Sequence, residues 1–148
     1  MKAAIDTNIL IYAEGFGDDQ RVGAATSLIE RLHKSETGLS VQVCGEVMAA
    51  LVRKFRCSAD EATSRLNGWR DVFETHSLTV EGFDAVLGLV RDHKFQMFDA
   101  MILSSAAEAG CKAMLSEDMH SGFKRRGVTK VNPFAQTPHP MLGTLIRP

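Results

Sequence analysis

Short apolar runs alternate along this chain with longer segments in which apolar residues recur at helical spacing. Ala3-Ala4-Ile5 is a brief apolar run ending at Asp6, and a short helical segment follows around Asn8 to Tyr12. In residues 20–34 the apolar positions are Val22, Ala25, Ile29 and Leu32, the spacing of one helical face. Gly38 interrupts this pattern, and Leu39-Ser40-Val41 reads as a short strand. Residues 44–56 return to the helical period, with Val47, Leu51 and Phe55 in register. Ser58-Ala59-Asp60-Glu61 has the form of a capping box, in which serine and glutamate side chains satisfy each other's free backbone amides. It opens a helix that runs to about Phe73.

Residues 74–77 form a third, weak strand candidate. Thr79 is placed to cap a helix that buries Phe83, Val86, Leu87 and Val90. The next helix spans 97–109, with Phe98, Met101, Ile102 and Ala106 on one side, and Gly110 stands where a left-handed residue ends a helix. Ala113-Met114-Leu115 is a strand ending near Asp118, and 128–131 is the last strand, stopped by Asn132-Pro133. Strands alternating with helices predict an α/β sandwich with a mainly parallel central sheet. All four prolines lie from Pro133 onward. The expected organisation is one domain over 1–134 and an irregular tail over 135–148.

A chain of 148 residues has a one-domain length and can bury a core without disulfide or metal staples. No apolar run is long enough to span a bilayer, and no cationic leader precedes an apolar stretch. The expectation is a cytoplasmic protein with no membrane partner. Cys44, Cys57 and Cys111 are odd in number, widely spaced and free of any C-x-x-C pair, which argues against a disulfide framework or a zinc site. The formal net charge of −1 gives no bulk attraction to nucleic acid. Binding of RNA would have to run through metal ions and local positive charge.

The informative feature is where the acids fall. Asp6 and Asp118 each follow a buried-type strand, and in an open parallel sheet ligands bind beyond the carboxyl ends of the strands. Glu46 and Asp99 are expected in the first turns of helices that begin at that same edge. Converging carboxylates repel: a pair about 4 Å apart costs roughly 1 kcal/mol in water and about 4 kcal/mol at an effective dielectric near 20. Such a cluster persists near neutral pH only if some members protonate or a cation sits among them. Oxygen-only ligation favours Mg²⁺ or Mn²⁺ over zinc. Such an ion acidifies bound water, holds a scissile phosphate and stabilises the leaving oxygen. Each acid alone has a plain structural explanation: helix dipole for Glu46 and Asp99, N-cap for Asp6, a local backbone bond for Asp118. The combination carries the reading.

Five segments in this order carry a resemblance: Ile5-Asp6-Thr7-Asn8-Ile9-Leu10-Ile11-Tyr12, Val43-Cys44-Gly45-Glu46-Val47, Phe98-Asp99-Ala100-Met101-Ile102, Leu115-Ser116-Glu117-Asp118-Met119 and Val131-Asn132-Pro133-Phe134. The chain resembles the PIN-domain ribonucleases, and within them the VapC-like toxins of bacterial toxin–antitoxin pairs. The resemblance implies a three-layer α/β/α sandwich and hydrolysis of RNA; with attack by metal-bound water, the expected activity is that of an Mg²⁺-dependent endoribonuclease whose products carry a 5′ phosphate and a 3′ hydroxyl. It implies Asp6 and Asp99 as principal metal ligands, with Glu46 and Asp118 completing the cluster. Glu117 adjoins Asp118, and the register chosen puts Asp118 in the site. Asn8 and Ser116 match residues that orient the site. Lys124, Arg125 and Arg126, close in sequence to Asp118, are the candidate RNA contacts. The resemblance further implies a cognate antitoxin, commonly inserting a basic side chain among the acids, and a homodimer. Two rivals stand beside it. A phosphatase of the haloacid-dehalogenase type would use Asp6 as nucleophile but wants a second acid where Asn8 stands. A PIN-like module kept only for protein binding has no need of all four acids.

Overall fold

The structure is a computed structural model that describes residues 2–117, 122 and 124–148. β1 (Ala3–Ile5) leads to α1 (Thr7–Ala13) and α2 (Asp19–Arg31). β2 (Thr37–Ser40) leads to α3 (Val41–Ala49), which widens into a π-helical turn at Ala50–Lys54, and then to α4 (Ala59–Val72). β3 (Glu74–His76) leads to α5 (Val80–His93) and α6 (Met97–Glu108). β4 (Ala113–Leu115), β5 (Lys124–Arg125), β6 (Val128–Val131) and a single turn, α7 (Leu142–Leu145), complete the chain.

The strands lie in the order β3-β2-β1-β4-β6-β5, parallel throughout except for β5, which runs antiparallel to β6. Every residue of β1, β2, β4 and β6 is buried, as expected of a parallel sheet covered on both faces. In one layer α1 packs on α2 and α3, and α3 on α4. In the other, α5 packs on α6, which lies across β2 and β6. This is the expected three-layer α/β/α sandwich. The layers meet where α3 touches α6. Among the described residues no helix is long and apolar enough to cross a membrane.

The structure departs from the sequence reading at four places. Ser40 accepts from the Val43 amide at 3.0 Å and so caps α3, which starts at Val41 rather than Cys44. Glu46 therefore sits in the second turn of its helix, not the first. On α5 the buried residues are Gly82, Val86 and Leu89, while Phe83 and Leu87 are exposed. Gly82 is the reason: a β-carbon there would collide with Glu108 and Leu78, so the bare backbone turns inward and the larger side chains rotate out. Phe98 is likewise exposed, because α6 buries its small residues, Ala100 and Ser104–Ala106 among them, against its neighbours. Finally, the basic run forms a short hairpin. Arg126 and Gly127 adopt φ of 50° and 78°, the two left-handed positions of a tight hairpin turn between β5 and β6.

The tail is folded onto the domain for part of its length. Leu142 and Leu145 of α7 are buried, Ile146 bridges Leu32, and the Arg147 amide donates to the Arg31 carbonyl at 2.7 Å. Cys44 and Cys111 are buried and Cys57 half-buried, all as free thiols.

Candidate active site

The strand order reverses between β1 and β4. The chain first steps outward from β1 to β2 and β3, then crosses back to lay β4 against the other side of β1. Ligand-binding crevices in open α/β sheets open at the carboxyl ends of the strands at such a switch point. Asp6 and Ser116 are the first residues beyond β1 and β4, and the Asp6 amide donates to the Leu115 carbonyl at 2.9 Å.

Asp6 is nearly buried, and both of its carboxylate oxygens are engaged. One accepts the Thr7 amide at 2.8 Å, which makes Asp6 the N-cap of α1. The other accepts the Ser116 hydroxyl at 2.7 Å, from a side chain that is itself buried. Cap and site acid are thus one residue. The Thr7 hydroxyl donates to Glu46 at 2.5 Å, so Thr7 ties Glu46 of α3 to the Asp6 turn. Asn8 lies half-buried in the first turn of α1.

Asp99 sits in the first turn of α6, as expected, and is half-buried. Burial pushes its carboxyl above the ordinary aspartate range, and the negative charge of Asp6 pushes it further; Lys130 acts in the opposite sense. The structure thus brings Asp6 and Asp99 into one electrostatic neighbourhood and links Glu46 to it through Thr7. Asp118, the fourth predicted acid, lies outside the described residues. Its neighbour Glu117 is engaged elsewhere, accepting from the Tyr12 hydroxyl and, at 2.9 Å, from Arg21.

Lys124, Arg125 and Arg126 are not at this rim. Their hairpin turn precedes β6, at the amino edge of the sheet, and Arg126 acts electrostatically on Glu108 at the far end of α6 from Asp99. A helix of this length spans about 18 Å, so closeness in sequence to Asp118 is no guide to closeness in space. A surface hollow lined by Val41, Cys44, Met48, Leu66, Arg70 and Thr75 also holds none of the described acids of the set.

Among the described residues no three His, Cys, Asp or Glu side chains group closely enough to hold a metal ion by themselves. The donor chemistry nonetheless fits a hard divalent cation. Asp6, Asp99 and Glu46 offer only oxygen, the donor type a hard divalent cation takes, and Asp99, raised first by burial and then by the charge of Asp6, sits where such a cation would offset both. Two contributors escaped the sequence reading. Thr7 lies inside a quoted segment, but nothing in its type announces a link to Glu46. Lys130 gave a better signal: it is a lysine inside the short run Val128-Thr129-Lys130-Val131, every residue of which is buried.

A sequence model of the PIN domain matches residues 3–127. No curated protein matches the chain by sequence. Solved structures that share its fold include the following three. VapC20 of Mycobacterium tuberculosis, described as a sarcin-ricin loop cleaving toxin, superposes with a TM-score of 0.64 at 19% identity, over 76% of this chain and 87% of that one. A toxin–antitoxin complex from Klebsiella pneumoniae gives 0.63 at 20%, over 90% and 98%. DNA-bound VapBC from Salmonella typhimurium gives 0.63 at 13%, over 88% and 96%.

Proposed function

Because the chain belongs to the PIN domain family, we propose that it is a divalent-metal-dependent endoribonuclease, using Mg²⁺ or Mn²⁺, and the toxin of a toxin–antitoxin pair. The observation that carries this reading is the pairing of Asp6 and Asp99 at the switch point, with Asp6 braced on both oxygens. Asp6 and Asp99 are the proposed metal ligands; Glu46 and Asp118 complete the acidic cluster. When bound, the cation supplies Lewis acidity at the scissile phosphate and lowers the pKa of water.

The chain's own residues do the positioning. Ser116 and the Thr7 amide each hold one Asp6 oxygen and so restrict its carboxylate to one orientation. The Thr7 hydroxyl restrains Glu46 in the same way. Asn8 is assigned to the same orienting task. Without a cation the rim repels a polyanion, which is why cleavage is expected to depend on metal. The partner proposed for the toxin role is an antitoxin protein, by analogy with the Klebsiella pneumoniae complex, and the active form proposed is a homodimer.

The test is incubation of purified protein with total RNA in Mg²⁺, in EDTA, and with Asp6→Asn, followed by sequencing of the cut ends. The expected result is discrete cuts bearing 5′ phosphate and 3′ hydroxyl that vanish in EDTA and in the variant. Cleavage undiminished in Asp6→Asn would remove Asp6 from the site. Absence of cleavage under every condition would favour the protein-binding module.

A further inference from the structure

Lys130 places a charge inside a strand whose every residue is buried. It occupies β6, paired in register with Met114 of β4, and is 3% exposed. An ammonium so deep in a sheet is tolerated only beside groups that replace its water. Three groups serve here. The Lys130 ammonium lies 5.0 Å from the centre of the Phe95 ring, a cation–π distance. Asp99 lies four residues after Phe95, in the first turn of α6, a helix that packs on β6, and both Asp99 and Asp6 draw on the ammonium electrostatically. Burial pulls the lysine's pKa down, and the two carboxylates oppose that pull, Asp99 more than Asp6. The positive charge is therefore buried beside the carboxylates proposed to hold the metal.

We propose that Lys130 is a resident cation of this cluster, one that balances Asp99 and Asp6 in the metal-free protein and competes with the divalent ion for them. The inference rests on the metal-dependent reading above and deepens it. A fixed positive charge near two carboxylates lowers their affinity for any further cation. It also lets Asp6 and Asp99 stay close together when no metal is present. The site then trades metal affinity for a preformed geometry, and Lys130 sets where that balance lies.

The experiment is a Mn²⁺ titration followed by the electron paramagnetic resonance signal of the free ion. It is run on the metal-free parent chain, Lys130→Met, Lys130→Gln and Asp99→Asn. Methionine keeps an unbranched chain of similar length and a favourable sulfur contact with Phe95. The expected result is Mn²⁺ binding by the parent, lost in Asp99→Asn, and tighter by about tenfold or more in Lys130→Met and Lys130→Gln. A purely structural lysine would leave that affinity unmoved. Should both lysine variants fail to fold, Mg²⁺ titration of the parent by NMR decides. The Lys130 side-chain methylene resonances, displaced by the Phe95 ring, are expected to shift and saturate with Mg²⁺; resonances that stay still overturn the proposal. A parent that binds Mn²⁺ with a Lys130→Met variant that binds no tighter overturns this inference alone. A parent that neither binds Mn²⁺ nor cleaves RNA overturns the functional reading and this inference with it.

Discussion

The two edges of the central sheet treat charge in opposite ways. At the amino edge, charges of opposite sign meet in water. Lys2 and Glu74 lie 3.5 Å apart with substantial exposure, and Arg126 faces Glu108 at the end of α6. At the carboxyl edge, like charges meet away from water: Asp6 nearly buried, Asp99 half-buried with its carboxyl pushed upward, and a buried lysine as the balancing charge. Exposed pairs of the first kind contribute little and disturb nothing. The second arrangement costs stability, and a chain retains such a cost where it serves a site. The two edges share one sheet and one set of helices, so the contrast separates what the fold requires from what the chemistry requires.

The sharpest way to break the contrast is Asp99→Asn. If the carboxyl edge is built for a cation, cleavage should fall by several kcal/mol of barrier, on the order of 10³-fold or more. The metal-free melting temperature should change little, because relief of the repulsion with Asp6 is offset by the loss of a carboxylate partner of the buried Lys130. The pH dependence has a defined sign. The folded chain holds the Asp99 proton more tightly than the unfolded chain, whose aspartates titrate near 3.8. Below that value the carboxyl is neutral in both states and carries no penalty. As pH rises above it the unfolded chain ionises first, and the folded state loses stability until its own carboxyl has ionised. In EDTA, thermal melts stepped upward from about pH 4 should show this loss in the parent and its absence in Asp99→Asn. A variant that melts well below the parent at neutral pH would make Asp99 a structural residue.

Ser116→Ala attacks the same edge less severely. It removes a buried hydroxyl that holds one Asp6 oxygen at 2.7 Å. Losing a supporting partner of a proposed metal ligand should weaken Mn²⁺ binding by roughly 10–100-fold. Leaving a buried carboxylate oxygen short of a donor should also cost about 1–3 kcal/mol in chemical denaturation. Metal affinity equal to the parent's would show that Thr7 alone orients Asp6.

The sequence made the carboxyl edge far more legible than the rest. The positions of Asp6 and Ser116 followed from apolar runs that had to be buried strands, and strand ends in a parallel sheet lie on one rim. Asp99 followed from a helix whose start was correctly placed. Glu46 was misplaced by a turn because Val41, read as the end of the strand, already begins α3, which the Ser40 hydroxyl caps. Phe83, Leu87 and Phe98, expected inside, are exposed for a different reason. Periodicity locates large apolar residues, whereas Gly82 and the small residues of α6 let these helices pack on positions that carry no hydrophobic signal. Arg126 and Lys130 show the limit of sequence distance. Only three residues lie between them, yet the hairpin leaves one at the amino edge and sends the other toward the acids.

The smallest expected effect tests the other side of the contrast. Glu74→Gln removes the carboxylate partner of Lys2 at the amino edge, where the two side chains are 65% and 29% exposed. Water already solvates both groups, so the Coulomb gain is small and holding two flexible chains together offsets part of it. The expected change in unfolding free energy is within about 1 kcal/mol, shrinking further at 1 M salt, where screening acts over roughly 3 Å. Cleavage rate and Mn²⁺ affinity should match the parent, because Glu74 begins β3 while the acids lie beyond the ends of β1 and the start of α6. A loss of activity in Glu74→Gln would mean that the two edges communicate through the sheet. Charge at the amino edge would then belong to the chemistry as well.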